Sequence, residues 1–331
     1  MDISIIICTY NPEERIFSRC LHAVQNFTRG NLKVEVLLID NNSVPKLNEV
    51  DYVKQFLTTC PNAKYIAAID PGLTYARIAG FKHAIAPVII FFDDDNEPDE
   101  NYLVAVHEIL SKRKEIGVIG PGTIHVDFID GSNKWLETKR PLFQEINLSA
   151  ERYDNDLSRY QDFYPYGTGL VIRREVMQEY LDVVIHQAEI SDRKGNSLIS
   201  GGDKQIVWGG LKMGYLAGRT PSLKLNHIIS QSRTSEGYIK RLYYYTSYSG
   251  IKAYLGVFPE NEFEIRKTKK SFVGFYFTLT KCIVRNIFNR KLLATELLPC
   301  LIGKTSGFYF AFDQKKPKWL AITEKAFGLN Y

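Results

Sequence analysis

The sequence predicts an α/β protein: a mostly parallel sheet flanked by helices, followed by a helical, basic and aromatic extension. Continuous β-branched runs such as ISIIIC at 3–8 and VIIFF at 88–92 are typical of strands that are buried on both faces. Helix-like segments separate these runs at a regular spacing, which favours parallel pairing. The extension is predicted because residues 235–331 hold 16 Lys and Arg against 7 Asp and Glu, together with 20 aromatic residues.

Composition limits the class of protein. The chain has 331 residues, of which 45% are hydrophobic and 24% are charged, so a disordered or low-complexity protein is excluded. Its five cysteines are dispersed without a CxxC pair, which argues against a disulfide framework and against a thiolate zinc site. The sequence has no run of about 18 apolar residues and no basic, apolar leader, so a cytoplasmic protein without a transmembrane helix is expected.

The first half of the chain alternates strands and helices, bounded by turn-forming residues. Pro12 suits the first position of a helix, and the acidic residues after it suit the positive end of the helix dipole. Turn formers also follow the second strand and precede the third helix. The predicted elements, in order, are strand 3–8, helix 12–27, strand 34–39, helix 46–58, strand 65–69, helix 73–85 and strand 88–92.

The second half is less regular. GVIGPGTI at 117–124 predicts a strand with a turn inside it, and residues 130–165 are expected to form a long polar excursion. Glycines precede the next apolar run, YGTGLVIR. The remaining predicted elements are strand 166–173, helix 174–185, a helix from 202 to 213 and strand 222–230.

Polar clusters follow three of the predicted strands, at residues 9–11, 40–43 and 93–95. In parallel sheets of this class, ligands bind at the carboxyl ends of the strands. The cluster Asp93-Asp94-Asp95 is informative because three adjacent carboxylates repel each other unless something offsets their charge. One interpretation is a site for a hard divalent cation such as Mg²⁺ or Mn²⁺. The alternative is a solvated acidic turn that caps the helix expected after Pro98.

Three further residues each have two interpretations. Asp203, at a glycine-rich helix entry, is either an N-cap or a general base. His227 is either a hydrogen-bonded structural histidine or a ligand that completes a manganese-like site. Arg77 is either a surface arginine or a fixed cation near the phosphates of a nucleotide. The motifs GxxxxGK(S/T), GxGxxG after the first strand and GxSxG do not occur, which argues against other nucleotide-binding and hydrolase classes.

Seven motifs stand in order along the first two thirds of the chain: SIIICTYNP, VLLIDNNS, PGLTYARIAG, FFDDDNEP, GTGLVIRREV, GGDKQIVW and LNHI. Their order and spacing across residues 1–232 resemble the family 2 glycosyltransferases with the GT-A fold, in which helices flank a Rossmann-like sheet. The resemblance implies an enzyme that transfers a hexose or N-acetylhexosamine, with inversion, from a nucleotide diphosphate sugar to an acceptor hydroxyl. UDP is the commonest nucleotide in the family, and the implied cofactor is a divalent metal, Mn²⁺ or Mg²⁺.

The resemblance also implies roles for particular residues. Asp95 and His227 would bind the metal, and Asp203 would take the acceptor proton as the catalytic base. The residues that would bind the nucleotide-sugar are Thr9, Tyr10, Asn11, Asp40, Asn42, Arg77, Asp93 and Asp94. The residues that would lie beneath the acceptor are Gly167, Thr168 and Gly169.

The expected organisation is a catalytic domain at 1–234, with a nucleotide-sugar part at about 1–120 and an acceptor part at about 121–234, and an extension at 235–331. A lipid-linked or cell-surface saccharide is the expected acceptor, and no nucleic acid is expected as a partner. Two other classes stay open. A sugar-1-phosphate nucleotidyltransferase would need a glycine- and arginine-rich loop where this chain has CTYNP. A non-catalytic protein of the same fold would not need the acids that this chain retains.

The extension has its own pattern. RLYYYTSYSGIKAYLGVF and KKSFVGFYFTLTKCIVRNIF alternate basic clusters with aromatic and aliphatic stripes, which is typical of helices that lie on an anionic membrane. The same pattern also fits a helical cap on the catalytic domain or a homodimer interface, and all three interpretations stay open. RNA binding is less favoured, because no RNP-type aromatic motif is present.

Overall fold

The computed structural model describes residues 1–185, 192–193 and 197–329. The chain divides into two compact units: residues 1–182 with 206–230 form the first, and residues 183–205 with 231–331 form the second. These units are defined by packing alone. The division into a catalytic domain and an extension at residue 234 therefore remains a prediction.

In the described part of the first unit, ten strands form one mixed sheet. The strands are β1 (Ile3–Thr9), β2 (Val34–Asp40), β3 (Ala63–Ala67), β4 (Val88–Asp93), β5 (Asn96–Pro98), β6 (Ile116–Phe128), β7 (Ile146–Asn147), β8 (Arg152–Asp154), β9 (Leu170–Arg173) and β10 (Leu216–Ile229). Their order is β3-β2-β1-β4-β9-β6-β10-β5, with β7 paired to β6 and β8 paired to β10. The longest pairings, among β1 to β4 and between β6 and β10, are parallel, and the shorter ones are antiparallel. The predicted α/β class with a mostly parallel sheet is confirmed.

Helices connect these strands as the alternating pattern predicts. They are α1 (Glu14–Gln25), α2 (Asp51–Thr59), α3 (Leu73–His83), α4 (Tyr102–Lys112), α5 (Lys134–Glu137), α6 (Arg174–Glu179) and α7 (Gly202–Lys212), the last of which begins in the second unit. Every residue of β1 and of β2 is buried, which explains why both strands are continuous apolar runs in the sequence. The residues that α1 buries recur at helical spacing: Ile16, Phe17, Cys20, Leu21 and Val24.

The structure differs from the prediction along residues 116–128. The predicted turn inside GVIGPGTI is wrong, because β6 is one continuous strand. Its glycines serve close packing instead. A Cβ on Gly120 would lie 2.4 Å from the Cβ of Pro165, and a Cβ on Gly122 would lie 2.5 Å from the carbonyl carbon of Thr220.

Other segments also hold different structure from that expected. Residues 130–165, predicted as a polar excursion, contain α5, β7, β8 and a 3-10 turn at Arg140–Phe143. The strand predicted at 166–173 is shortened to β9, because Gly169 adopts a left-handed φ of 64° that a strand does not accommodate. Smaller differences are the 3-10 turn Leu47–Glu49 before α2, the π turn Tyr180–Val184 after α6 and the start of β10 at Leu216.

The described part of the second unit is helical, as the sequence predicts for the extension. Its helices are α8 (Glu236–Leu255), α9 (Glu262–Lys267), α10 (Phe272–Arg285), α11 (Arg290–Leu292), α12 (Leu298–Ala311) and α13 (Lys318–Ala326). They enclose a hydrophobic core made of Tyr244, Phe275, Leu279, Leu293, Leu298, Ile302, Phe308, Tyr309, Leu320 and Leu329. No helix in the described part of the chain is both long enough and apolar enough to cross a membrane.

Two glycines allow α12 to cross α8 closely. A Cβ on Gly303 would lie 2.3 Å from the Tyr244 carbonyl oxygen, and a Cβ on Gly307 would lie 2.2 Å from the Tyr248 carbonyl oxygen. Because these glycines are four residues apart, they lie on one face of α12. Small side chains on that face let the two backbones approach.

A buried ionic cluster lies in the same core. Glu324 is fully buried, and its carboxylate accepts hydrogen bonds from the Tyr244 hydroxyl at 2.6 Å and from Lys316 Nζ at 2.8 and 2.9 Å. Burial and the neighbouring carboxylate both raise the pKa of Tyr244. A buried carboxylate is costly unless it is paired in this way.

We predict that Lys316→Met lowers the free energy of unfolding by about 2–3 kcal/mol, because Glu324 then stays buried without its cation. Urea unfolding of the full chain measures this change. Lys318→Met is the matched control, since Lys318 is exposed on the same segment, and we expect it to change stability by no more than about 0.5 kcal/mol. Equal effects of the two substitutions would contradict the role of the ion pair.

Candidate active site

The register of the parallel strands brings three polar segments to one edge of the sheet. In the β1–β2 pair, Thr9 lies opposite Asp40, and in the β1–β4 pair, Cys8 lies opposite Asp93. These strands all end at this edge, where the loops at 9–11, 40–43 and 93–95 begin. The edge is where sheets of this class bind ligands.

Asp40 organises the loop that follows β2. It is 2% exposed, and its carboxylate accepts hydrogen bonds from Ser43 N at 2.9 Å, Leu47 N at 3.0 Å and the Tyr65 hydroxyl at 2.8 Å. Burial, and then the hydrogen bond to Asp40, raise the pKa of Tyr65. A carboxylate has about four acceptor positions, so these bonds leave about one for a ligand. The predicted contact of Asp40 with a base remains a prediction.

The predicted residues Tyr10, Asn11 and Asn42 lie in the loops at this edge. Tyr10 is 54% exposed. Asn11 and Asn42 adopt left-handed φ values of 46° and 69°, which asparagine tolerates better than most residues. Asn11 Oδ1 accepts from Val44 N at 2.8 Å, and Asn42 Nδ2 donates to the Ile69 carbonyl at 2.9 Å. These side chains therefore connect neighbouring loops.

Asn41 is a structural residue that sequence analysis did not single out. Its Nδ2 donates to the Asp70 carbonyl at 2.7 Å, and its Oδ1 accepts from Gly72 N at 2.6 Å. Asn41 thus fixes the turn that precedes α3, the helix that carries Arg77. Its position in a run of turn formers after a buried strand was the available signal.

The three acids at 93–95 do not alternate as an extended strand would. β4 ends at Asp93, and the chain turns at Asp94 and Asp95. Asn96 holds this turn: its Oδ1 accepts from Asp93 N at 3.2 Å, and its Nδ2 donates to Asp95 Oδ1 at 2.8 Å. Each carboxylate consequently has its own environment.

Asp93 lies beside Arg77. The Asp93 Oδ1 to Arg77 Nη2 distance is 3.6 Å, and Arg77 is 4% exposed with its guanidinium 5.6 Å from the centre of the Phe91 ring. The surface-arginine interpretation is therefore wrong. Gly167 leaves room for this side chain, since a Cβ there would lie 2.4 Å from Arg77 Nη2. The structure thus brings Arg77, Asp93 and Gly167 together.

Asp94 accepts a hydrogen bond from Thr9. The Thr9 Oγ1 to Asp94 Oδ2 distance is 2.6 Å, so the first and third polar segments are joined directly. Two thiols lie near the acids. Burial raises the pKa of Cys8 to about 12 and that of Cys20 well above its usual value, and the neighbouring acids add to both effects. Neither thiol is activated as a nucleophile.

Asp95 and His227 come together through strand pairing. β5 pairs antiparallel with β10, which places Asn96 opposite His227. Asp95 directly precedes Asn96 in the chain. The His227 Nε2 to Asp95 Oδ2 distance is 3.4 Å, and both residues are buried. His227 Nδ1 lies 2.8 Å from the Phe143 carbonyl oxygen, which only accepts, so Nδ1 carries a proton and donates it there. Nε2 is then the ring nitrogen that faces the Asp95 carboxylate.

This pair fits a divalent cation. Metal–ligand distances of about 2.0–2.2 Å allow one ion to contact two atoms that are 3.4 Å apart. The carbonyl behind His227 fixes the ring as metal-binding histidines require. Within residues 1–185, 192–193 and 197–329, no group of three or more His, Cys, Asp or Glu side chains is arranged to hold a metal ion. Where Mg²⁺ also binds substrate phosphates, one or two protein carboxylates commonly suffice.

The three residues predicted beneath the acceptor form a turn before β9. Thr168 Oγ1 accepts from Gln144 Nε2 at 2.9 Å, and the Gly169 carbonyl accepts from the Tyr102 hydroxyl at 2.6 Å. The segment before β7 therefore contacts both the turn at 167–169 and His227, through adjacent residues Gln144 and Phe143. Sequence analysis missed this role, because the contacts are long-range and nothing in the local pattern indicates them.

Asp203 belongs to the second unit. It is the second residue of α7, so the N-cap interpretation is wrong: the helix begins at Gly202, whose N–H donates to Asp192 Oδ2 at 3.0 Å. Asp203 Oδ1 accepts from Lys204 N at 2.8 Å. Burial lowers the pKa of Lys204, and the Asp203 carboxylate opposes this shift.

Two known proteins of similar sequence are glycosyltransferases by name. Glycosyltransferase AglE of Haloferax volcanii is 27% identical over 204 residues, which are 61% of this chain and 58% of that protein. N-acetylgalactosaminyltransferase 6 of Drosophila melanogaster is 28% identical over 137 residues, which are 40% of this chain and 19% of that protein. The chain thus spans less than two thirds of the length of each of these relatives.

The chain is also similar to a solved structure, the crystal structure of S. aureus TarS 1-349. The two align over 96% of this chain and 93% of the TarS chain, at 11% identity and a TM-score of 0.49.

The family comparison is decisive. The sequence profile described as "Glycosyl transferase family 2" matches residues 4–181, more than half of the chain. The match includes the loops after β1, β2 and β4 and the turn at 167–169. Together with the mixed sheet described above, it confirms the GT-A fold that the motifs predicted. The chain therefore belongs to glycosyltransferase family 2.

Proposed function

We propose that the chain is an inverting glycosyltransferase that moves a sugar from a UDP-sugar to a hydroxyl of a lipid-linked or cell-surface saccharide. One observation carries the proposal: Thr9, Arg77 and three adjacent carboxylates meet at the carboxyl edge of the parallel strands. A buried arginine beside carboxylates offers a fixed charge for a diphosphate, and the loop residues offer hydrogen bonds for a nucleoside.

The donor is assigned to the loops of the first unit. Tyr10, Asn11 and Asn42 lie beside the end of β2, where they would contact the nucleoside, and Asp40 keeps an acceptor position for the base. Arg77 remains charged throughout and would offset the charge of the departing diphosphate. Thr9 holds Asp94, which would contact the sugar.

A divalent cation, Mn²⁺ or Mg²⁺, is assigned to Asp95 and His227. When bound, it supplies a Lewis acid for the diphosphate leaving group. The residues of the chain hold this site: Asn96 fixes the Asp95 carboxylate, and the Phe143 carbonyl fixes the His227 ring. The fit of the donor set, one carboxylate and one imidazole nitrogen, supports the assignment.

Asp203 is the proposed base. It would accept the proton of the acceptor hydroxyl while the acceptor oxygen forms its bond to the anomeric carbon and the bond to the diphosphate breaks. The assignment is supported by its position in GGDKQIVW, by its partial exposure and by the loss of the N-cap interpretation. The raised pKa values of Cys8 and Cys20 agree with a direct displacement that needs no thiolate nucleophile.

The relatives bear on the sugar. Some have N-acetylgalactosaminyltransferase in their names, including polypeptide N-acetylgalactosaminyltransferase 9 of Homo sapiens, which is 33% identical over 101 residues, 28% of this chain and 15% of that protein. Their similarity supports an N-acetylhexosamine among the donors to test first. The acceptor of this chain is proposed from the family resemblance, as a saccharide.

The function and the cation are tested together by calorimetry of the full chain with UDP-, GDP- and dTDP-sugars, with and without Mn²⁺. We predict that UDP-N-acetylhexosamine binds most tightly and that Mn²⁺ increases its affinity. In Asp95→Asn the Mn²⁺-dependent gain should fall by about 10²-fold, because the cation loses its carboxylate. Asp127→Asn is the control. Asp127 is an acid of β6 that pairs with Arg19 at 2.8 Å, and its substitution should leave the Mn²⁺-dependent gain in affinity unchanged. Metal-dependent binding that survives Asp95→Asn would assign the cation elsewhere.

We predict that Asp203→Asn lowers kcat by about 10²-fold or more and leaves donor affinity within a few-fold of the wild type, because asparagine cannot accept the proton. Steady-state kinetics and calorimetry measure the two quantities. Asp313→Asn, at an exposed acid of the second unit, should change neither. If Asp203→Asn binds donor poorly but turns over normally at saturation, Asp203 is structural.

We predict that Gly167→Ala lowers UDP affinity about tenfold, equivalent to about 1.4 kcal/mol, because the new Cβ displaces the Arg77 guanidinium. Gly209→Ala is the matched control, since a Cβ at Gly209 meets nothing within 4 Å, and it should leave the affinity unchanged. Unchanged affinity in both variants would mean that the position of Arg77 does not matter for the nucleotide.

A further inference from the structure

Helix α10 of the second unit has two apolar faces. One face packs into the core of this unit, where Phe275 is fully buried and Leu279 is 9% exposed. The other face is turned to solvent. Its side chains, which we call the exposed stripe, and their exposed fractions are Val273 at 74%, Phe277 at 61%, Val284 at 66% and Phe288, just beyond the helix, at 103%. Spacings of four and seven residues place Val273, Phe277 and Val284 on one side of the helix.

Further apolar side chains widen this surface. Phe272 is 53% exposed, Ile283 is 37% exposed and Ile287 is 48% exposed. Single exposed apolar residues are ordinary, but a contiguous group on one helix marks a binding surface. The buried face of α10 already packs in the core of the second unit, so the exposed face is available for another contact.

The segment that carries the stripe has charges of one sign. From residue 265 to residue 295 the chain has no Asp or Glu and has eight Lys and Arg. Lys281 Nζ lies 4.2 Å from the centre of the Phe277 ring, and Lys281 and Arg285 are both exposed. Basic side chains are therefore interleaved with the aromatic ones, on the same surface rather than at a distance from it.

We propose that the exposed stripe binds the surface of an anionic lipid bilayer. Phenylalanine and valine side chains gain by entering the boundary between headgroups and acyl chains, and lysine and arginine side chains pair with lipid phosphates at the same depth. This surface needs neither donor nor acceptor, so the inference goes beyond the proposed function.

Charge complementarity favours the bilayer over a second copy of the chain. A twofold dimer would place this surface against itself, because such an interface uses the same patch on both subunits. It would then bring Lys281 and Arg285 towards their own copies, with no acidic residue between 265 and 295 to compensate. An anionic leaflet meets the same charges with the opposite sign.

The inference is tested by flotation of the full-length chain with phosphatidylcholine vesicles that contain or lack phosphatidylglycerol, at about 0.1 M and about 1 M salt. We expect binding to the anionic vesicles only. Raising the salt should weaken this binding but not abolish it, because salt screens the charges and leaves the apolar contribution.

Two pairs of variants separate the contributions. Phe277→Ser with Phe288→Ser should lower vesicle affinity about 10-fold or more, since each removes a phenyl group from the bilayer. Ile85→Ser with Ile322→Ser is its control, with exposed fractions of 64% and 68% elsewhere on the surface, and should bind as the wild type does. Lys281→Gln with Arg285→Gln should lower affinity about 10-fold at low salt and little at high salt. Lys112→Gln with Lys114→Gln, exposed in the first unit, controls for net charge.

Any of four results would overturn the inference. The first two are that the full chain does not bind anionic vesicles at low salt, or that it binds neutral vesicles equally well. The third is that the stripe variants bind vesicles as their controls do. The fourth is that vesicle binding is absent and sedimentation finds a dimer that dissociates in the Phe277→Ser, Phe288→Ser variant. The stripe would then be an interface between copies of the chain.

Discussion

The parallel pairing of β1 with β2 and β4 is the constraint on which the site depends. It aligns Thr9 with Asp40 and Cys8 with Asp93, so that three loops begin at one edge. The strands hold this register because β1 and β2 are buried along their whole length, and a slip of one residue would move the polar ends into the core. The short β5–β10 pairing then adds His227 to the same edge. Backbone pairing, rather than local sequence, therefore assembles the site.

Three adjacent carboxylates are tolerated because each has a different partner. Arg77 lies beside Asp93, Thr9 donates to Asp94, and Asn96 donates to Asp95. These partners come from α3, β1 and the first residue of β5, so they meet the acids only in the assembled sheet. Asp95 is the one that also faces an imidazole nitrogen, at 3.4 Å. This contact gives Asp95 a different environment from its neighbours.

In the second unit, helix α10 has one apolar face in the core and another exposed to solvent. The buried face of α10 supplies Phe275 and Leu279 to a core that also holds the Glu324 cluster, so the unit does not depend on the exposed face for its packing. The exposed face is consequently free to vary in sequence without loss of the fold. A continuous set of apolar side chains there, with basic residues only, indicates a function other than folding.

The sequence by itself determined the alternation of strands and helices, the three polar clusters at strand ends and the family, because buried parallel strands and turn formers leave strong local patterns. It predicted the positions of Asp93, Asp95 and His227 within motifs, but not that they would differ in environment. Only the tertiary structure decided that the chain turns after Asp93, that Gly120 and Gly122 serve close packing, and that Phe143 and Gln144 support the site. These features depend on contacts between residues far apart in the chain, and hydrophobic periodicity carries no information about such contacts.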